Sequence, residues 1–243
     1  MRVPNSKIGQ NPLIYPQEYL MQANLDLDKA RFNMIEQQVR PWEVLDAHVL
    51  ELLDTVHRDL FVPAGQQALA YVDMELPVGT GQGQVMLAPR VQARMVQELA
   101  LQSTDKVLEV GTGTGFTAAL MAQQAEQVLS LETDAQLAEQ ARANLARANI
   151  HNVQVRQADG SHGAATDGPF DAIMLSGSVP EVPQSLLDQL KVGGRLVAIV
   201  GQEPIMRATI ITRVSDHSWS TAQPWDANAP RLTGFVEPTR FEF

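Results

Sequence analysis

The sequence predicts an α/β protein with a doubly wound, mostly parallel sheet of seven strands and added helices at its N-terminus. Three observations lead to this prediction. From residue 106 onward, short apolar runs alternate with helical patterns. A glycine-rich turn follows the first of these runs, and the last two strand-like runs have no helix between them. Strand–helix–strand repeats form parallel pairs, whereas the last two runs could pair antiparallel at the sheet edge.

The elements of the predicted sheet region follow one another in regular order. The strand-like runs are 106–110, 127–132, 152–157, 170–175 and 194–200, and the helical patterns between them are 116–124, 134–148 and 183–190. Thr133 and Gln136 form a capping-box pattern before the second of these helices, and Pro183 suits the first turn of the third. The tail adds strand-like runs at 207–214 and 232–243.

The residues before the sheet region form two segments. Residues 1–20 contain three prolines and no helical periodicity, so they are interpreted as an extended arm or a non-native extension. Residues 21–104 are interpreted as a helical and loop segment packed on a core domain that spans residues 105–243. This division predicts that the ligand-binding machinery lies mainly in the C-terminal part of the chain.

Within the N-terminal segment, a helical pattern extends from about 25 to 56 and is interrupted at Pro41. A loop rich in Gly, Pro and Gln covers 61–89, with short strands expected near Tyr71. Long loops in compact domains are often binding loops, so this one is a candidate. A further helix, with apolar residues four positions apart, precedes the glycine-rich turn.

Composition and charge exclude several classes of function. The 243 residues carry a formal net charge of -10 and no cysteine, so disulfides, zinc–thiolate sites and a cysteine nucleophile are excluded. An acidic chain repels polyanions, so no nucleic-acid partner is expected. No apolar stretch is long enough for a membrane span, no signal peptide is recognisable, and a cytoplasmic location is expected. The five histidines show no metal-ligand spacing, so no metal is expected, and no pattern indicates an oligomeric state.

The turn in VLEVGTGTGFTAAL, residues 107–120, places glycines at positions 111, 113 and 115. Glycines between a strand and a helix allow positive φ and let a ligand approach the backbone. Dinucleotide sites typically use G-x-G-x-x-G, but Phe116 stands at the position of the third glycine. Glu109 lies two residues before the first glycine, where a carboxylate would oppose a pyrophosphate but suit a cationic ligand. A dinucleotide-dependent oxidoreductase is therefore the less favoured alternative.

Two further acids end strands in register with this turn. Glu132 ends the second strand, 21 residues after Gly111, where a carboxylate suits the hydroxyls of a ribose. Asp159 ends the third strand and is followed by Gly160. Ligands of doubly wound sheets bind at the carboxyl ends of the strands, so three acids there favour one shared binding site.

The flanking segments narrow the function. The runs FVP, AYVDMELPVG, VLEVGTGTGFTAALMA, ADGSHG, GPFDAIML and LLDQLKVGGRLVAIVG resemble, in order and spacing from about residue 58 to 201, the protein-L-isoaspartate O-methyltransferase family. The resemblance implies a class I, Rossmann-like methyltransferase fold, S-adenosyl-L-methionine as cofactor and a protein or peptide acceptor that carries an isoaspartyl residue. It implies cofactor-binding roles for these residues: Glu109, Gly111, Thr112, Gly113, Gly115, Glu132, Thr133, Asp159, Gly160 and Ser176.

The resemblance ends at the loop that the family uses for its acceptor. The family has Gln-Thr-Ile-Ser-x-Pro there, and this chain has Gln84, Val85, Met86 and Leu87 before Ala-Pro. Val85 and Leu87 therefore replace the family's threonine and serine, and neither offers a hydroxyl. Two alternatives stay open: a paralogue that methylates a different acceptor, or a cofactor-binding protein with little isoaspartyl activity. The sequence identifies no catalytic residue.

Overall fold

The computed structural model describes the backbone of residues 17–81 and 83–237, with side chains from residue 26 onward. Helix α1 (Gln17–Met34) continues into a π-turn at Ile35–Val39 and a 3-10 turn at Arg40–Trp42. Residues 17–20 are thus helical rather than extended, and the rest of the predicted arm lies outside the described residues. Asp46 is the N-cap of helix α2 (Ala47–Thr55), and its carboxylate accepts hydrogen bonds from the first-turn amides.

The long loop contains a small hairpin. Strands β1 (Leu76–Pro77) and β2 (Val85–Met86) pair antiparallel, so the short strands lie after the predicted position. Tyr71 is instead buried in a turn, where its hydroxyl donates a hydrogen bond to Asp59. Helix α3 (Pro89–Leu99) follows and confirms the predicted helix before the glycine-rich turn.

The seven-stranded sheet that was predicted is present. Its strands are β3 (Lys106–Val110), β4 (Gln127–Glu132), β5 (Val153–Gln157), β6 (Phe170–Val179), β7 (Leu190–Gln202), β8 (Ile205–Ser215) and β9 (Ser218–Asp226). Their spatial order is β5-β4-β3-β6-β7-β8-β9. The first five strands in this order are parallel, whereas β8 pairs antiparallel with β7 and β9 pairs antiparallel with β8. Because β3 has β4 on one side and β6 on the other, the winding reverses between β3 and β6.

The last strand differs from the prediction. The edge hairpin is formed by β8 and β9, which are joined by a two-residue turn, and not by 207–214 with 232–243. Segment 218–226 is largely exposed, so its apolar alternation is weak and the sequence pattern missed it. Residues 232–237 are irregular, and 238–243 lie outside the described residues.

Three helices connect the parallel strands: α4 (Phe116–Ala122), α5 (Ala135–Arg147) and α6 (Gln184–Leu187). Asp134, rather than Thr133, caps α5, because its carboxylate accepts hydrogen bonds from the amides of Gln136 and Leu137. In the part of the chain that the structure describes, no helix is long and apolar enough to span a bilayer.

The sheet is covered on both faces. One large cluster of buried apolar residues joins α2 and α3 with α4, α5 and one face of the sheet, and a smaller cluster lies under α6 on the other face. The predicted N-terminal segment and the predicted core domain therefore share one hydrophobic core. This arrangement leaves the carboxyl ends of β3 to β6 open to ligand.

Candidate functional site

A pocket of about 770 Å³, including its open mouth, lies over the carboxyl ends of the parallel strands β5, β4, β3 and β6. This is the place where the winding of the sheet reverses, and doubly wound proteins bind ligands there. The pocket brings together most of the residues that the sequence predicts for the site: Gln84, Val85, Leu87, Gly111, Gly113, Glu132, Thr133, Gly160 and Ser176. Glu109, Thr112, Gly115, Asp159 and Met86 lie outside its lining.

The glycine-rich turn forms the floor of the pocket. All three of its glycines have positive φ, which glycine adopts without strain. A Cβ on Gly113 would meet no protein atom within 4 Å, so this position faces open space. A Cβ on Gly115 would instead contact Ala141 and Leu145 of α5, so Gly115 serves helix packing. Gly113 is therefore the glycine whose missing side chain leaves room for a ligand.

Glu132 projects into the same pocket from the end of β4. Its Oε2 accepts a 2.8 Å hydrogen bond from the amide of Gly113, and its Oε1 accepts one of 3.1 Å from the amide of Asp134. Both bonds hold the carboxylate at the rim of the turn, next to Thr133. A carboxylate held in this way retains lone pairs for two hydroxyls of a ligand.

Glu109 lies behind the pocket wall and is fully buried. Its carboxyl accepts hydrogen bonds from Ser176 (2.7 Å) and Ser130 (2.5 Å), and Ser130 is in turn 2.6 Å from the hydroxyl of Thr112. Burial raises the pKa of Glu109 to about 7, although both serine hydroxyls oppose the rise. Glu109 thus reaches the pocket only through Ser176, which lines it.

The end of β5 contributes backbone rather than charge. Gly160 lines the pocket, and a Cβ there would lie 2.5 Å from a methyl of Val110, so only glycine fits. Asp159 is not part of the pocket lining, and its Oδ1 accepts a 2.9 Å hydrogen bond from the amide of Ser161. Its contact with a ligand stays a prediction.

The acceptor loop forms one wall of the pocket. Val85 and Leu87 line it, whereas Met86 points into the hydrophobic core. The carbonyl of Leu87 accepts a 2.7 Å hydrogen bond from the guanidinium of Arg58, which is buried and stacks 5.0 Å from the ring centre of Phe116. This buried cation therefore fixes the loop. Burial lowers the pKa of Arg58 to about 9, so it remains charged at neutral pH.

Gln84 closes the loop over the start of α5. Its side-chain amide donates a 3.0 Å hydrogen bond to Asp134, and its side-chain oxygen accepts one of 2.8 Å from the amide of Gly81. The backbone amide of Leu137, followed by the side-chain amide of Gln84 and the backbone amide of Gln136, lowers the pKa of Asp134. The loop and the cofactor side of the pocket are thereby connected through side chains.

Sequence reasoning missed the opposite wall, which consists of Pro230, Arg231, Leu232 and Thr233. These residues lie in the part of the tail that was predicted as a strand or left without an element. They carry no glycine motif and no acid, and only the tertiary fold brings them to the strand ends. Among the described residues, no group of three or more acids and histidines could hold a metal ion.

Comparison with known proteins places the chain in a family. The model of the family Protein-L-isoaspartate(D-aspartate) O-methyltransferase matches residues 30–225. The chain belongs to this family. It is 43% identical to a protein-L-isoaspartate O-methyltransferase of Methanoculleus marisnigri over 71% of this chain and 78% of that one. It is 40% identical to protein-L-isoaspartate O-methyltransferase 2 of Marinobacter nauticus over 86% and 95%.

A solved protein-L-isoaspartate O-methyltransferase shares the fold with a TM-score of 0.73 and 24% identity, over 86% of this chain and 66% of that one. Family membership confirms the Rossmann-like class I fold, the methyltransferase class and S-adenosyl-L-methionine as the cofactor, all of which the sequence predicted. The pocket fits this cofactor, because it combines an open glycine turn with a carboxylate at the end of the adjacent strand.

Proposed function

We propose that this methyltransferase acts on the free α-carboxylate of isoaspartyl residues in protein or peptide chains. The observation that carries the proposal is that one pocket joins the glycine turn with Glu132 to the wall formed by Val85 and Leu87. The first part suits the cofactor, and the second lies where the family places its acceptor loop. When bound, S-adenosyl-L-methionine would supply the methyl group of its sulfonium to an oxygen of the acceptor carboxylate and would leave as S-adenosyl-L-homocysteine.

The chain's residues divide the work along the strand ends. Gly160 at β5 offers a flat backbone surface for the adenine, and Glu132 at β4 accepts the hydrogens of the ribose hydroxyls. Gly113, in the turn after β3, admits the methionine portion. Ser176 at β6 faces this portion and connects it to the carboxyl of Glu109 through a hydrogen bond. A cationic ligand there favours the ionised form of Glu109.

The acceptor side needs little acid–base chemistry. A carboxylate is already ionised near pH 7, so its oxygen attacks without a general base. Val85 and Leu87 on one wall and Leu232 on the opposite wall are apolar, so they remove water from the attacking oxygen rather than donating a hydrogen bond. Positioning and water exclusion are therefore the main contributions of the protein, and we assign no catalytic residue.

The test is methyl transfer from labelled cofactor to an isoaspartyl peptide, with the normal aspartyl peptide of the same sequence as control. We expect base-labile methyl ester on the isoaspartyl peptide alone. Equal transfer to both peptides, or none to either while the cofactor binds, would overturn the proposed acceptor. The assay is carried out in neutral buffer, without nucleic acid or membranes, because we propose neither as a partner. We propose the cytoplasm as the location, which the absence of cysteine accommodates.

A second candidate acceptor is favoured by the apolar loop wall. Leu87 is buried at the position of the family's serine, and its side chain offers no hydrogen bond to an acceptor. A carboxylate on a less polar molecule than a peptide would suit this wall. Transfer to such an acid at a rate above that for the isoaspartyl peptide would establish a diverged member of the family.

A further inference from the structure

Residues 230–234, here called the strap, cross the carboxyl ends of the parallel strands. At one end the strap pairs with β6: the amide of Ser178 donates to the carbonyl of Pro230 (2.8 Å), and the amide of Leu232 donates to the carbonyl of Ser178 (2.9 Å). At the other end the hydroxyl of Thr233 lies 3.3 Å from that of Thr133 at the end of β4. The strap is therefore fixed on both sides of the pocket.

Leu232 fills the gap at the reversal of the winding. A Cβ on Gly111 would lie 2.7 Å from a methyl of Leu232, and a Cβ on Gly177 would lie 2.9 Å from the same methyl. Both glycines are therefore required for Leu232 to sit between β3 and β6. The side chain is half-buried and also lines the pocket, so one of its faces is available to a ligand.

The order of the strands locates Leu232 relative to the cofactor. With Glu132 at β4 holding the ribose, the methionine portion extends toward β3. The acceptor loop reaches the β6 side of the pocket at Gly83, where a Cβ would lie 3.5 Å from Pro230 of the strap. The space between β3 and β6 is then the space in front of the transferred methyl group. Leu232 occupies the edge of this space.

We propose that Leu232 determines the size of the group that fits at the methyl-transfer end of the pocket, both on the cofactor sulfur and on the acceptor. This inference deepens the proposed function and rests on the assigned cofactor orientation. The strap offers an apolar wall and no catalytic group, so its effect is one of shape. One methylene in an apolar pocket changes affinity by roughly 10-fold or more.

The experiment compares calorimetric affinities for S-adenosyl-L-methionine and for its S-ethyl and S-propyl analogues. We expect the native chain to bind the S-propyl analogue at least ~10-fold more weakly than the natural cofactor. Leu232→Ala should reduce this ratio to within about threefold, and Leu232→Phe should increase it. Val236→Ala, in the same tail but 82% exposed, is the matched control and should leave the ratio unchanged.

Equal ratios in the native chain and both Leu232 variants would overturn the inference. A parallel loss of affinity for all three ligands would also overturn it, because it would make Leu232 a general packing residue. If Leu232→Ala does not fold, Leu232→Val serves in its place. The affinity ratios are measured without an acceptor. An absence of turnover on isoaspartyl peptide would therefore reject the proposed function without affecting this test of Leu232.

Discussion

Ser176 donates a 2.7 Å hydrogen bond to Oε1 of Glu109, and this bond connects the wall of the cofactor pocket to a carboxyl that has no exposed surface. Glu109 has hydroxyl partners on both oxygens and no cationic partner among the described residues. A buried carboxylate without a cation is costly, so its ionised form is disfavoured until a cationic ligand arrives. The dependence of folding stability on pH follows from this relationship.

The first prediction concerns stability against pH. The pKa of Glu109 rises from 4.5 to about 7 on folding, so the folded state holds a proton that the unfolded state has lost between these values. Its contribution therefore lowers the free energy of unfolding as pH rises from 4.5 to 7, by about 3 kcal/mol at 1.36 kcal/mol per pKa unit. Glu109→Gln lacks this titration, so its free energy of unfolding, measured by urea denaturation, should increase by that amount relative to the native chain as pH rises from 4.5 to 7. A constant difference between the two proteins from pH 4.5 to 7.5 would contradict the prediction.

The second prediction concerns the ribose site. Glu132→Ala should weaken cofactor binding by about 1.5–3 kcal/mol, the range for hydrogen bonds to a charged group. Glu126→Ala, which is exposed and directly precedes the opposite end of the same strand, is the control and should bind normally. Calorimetry gives the affinities, and thermal denaturation confirms that both variants fold. An unchanged dissociation constant in folded Glu132→Ala would reject the ribose role.

The third prediction distinguishes two effects of replacing a glycine by valine: the loss of space for a ligand and the strain of the backbone. Gly113 and Gly65 both have positive φ, and a Cβ on either would meet no atom within 4 Å. Valine at either position should cost about 1–2 kcal/mol of folding stability, because a branched residue is strained there. Only Gly113→Val should abolish cofactor binding, because its side chain enters the pocket. Bound cofactor in Gly113→Val would show that the turn is structural.

The fourth prediction tests the acceptor loop. Val85→Thr with Leu87→Ser should raise the rate on isoaspartyl peptide, by up to ~10² if the new hydroxyl reaches the substrate in the closed site. Leu87→Ala is the matched control, because it removes the same apolar side chain without adding a donor. A native rate that the double variant does not improve would mean that another group orients the acceptor.

The fifth prediction concerns the buried cation behind that loop. Arg58→Met removes the donor from the carbonyl of Leu87 and from the side chain of Gln92, and an unsatisfied buried acceptor costs about 1–3 kcal/mol. We expect lower thermal stability and a raised KM for the acceptor, since the loop loses its anchor. Arg213→Met, which also removes hydrogen bonds to backbone carbonyls but lies at the edge hairpin, should leave KM unchanged. An unaltered KM in folded Arg58→Met would show that Arg58 contributes to folding stability but not to acceptor binding.

The sequence determined the parallel sheet and most of the cofactor side of the site. Strands β3, β4, β6 and β7 carry apolar runs because both of their faces are covered, and this pattern is visible without the fold. The glycine turn and the acid of β4 were predictable for a local reason: each follows a strand directly, and carboxyl ends of parallel strands meet at one edge. The edge strand β9 was missed because its exposed residues carry little apolar periodicity.

Only the tertiary structure decided which predicted residues face the pocket. Glu109 and Asp159 stand at strand ends as predicted, but the first is enclosed by serines and the second caps the following turn. The strap illustrates the same limit, because Leu232 reaches Gly111 across more than a hundred residues of sequence. Local patterns record the element to which a residue belongs. The direction of a buried side chain depends on neighbours from distant segments, and packing alone sets those neighbours.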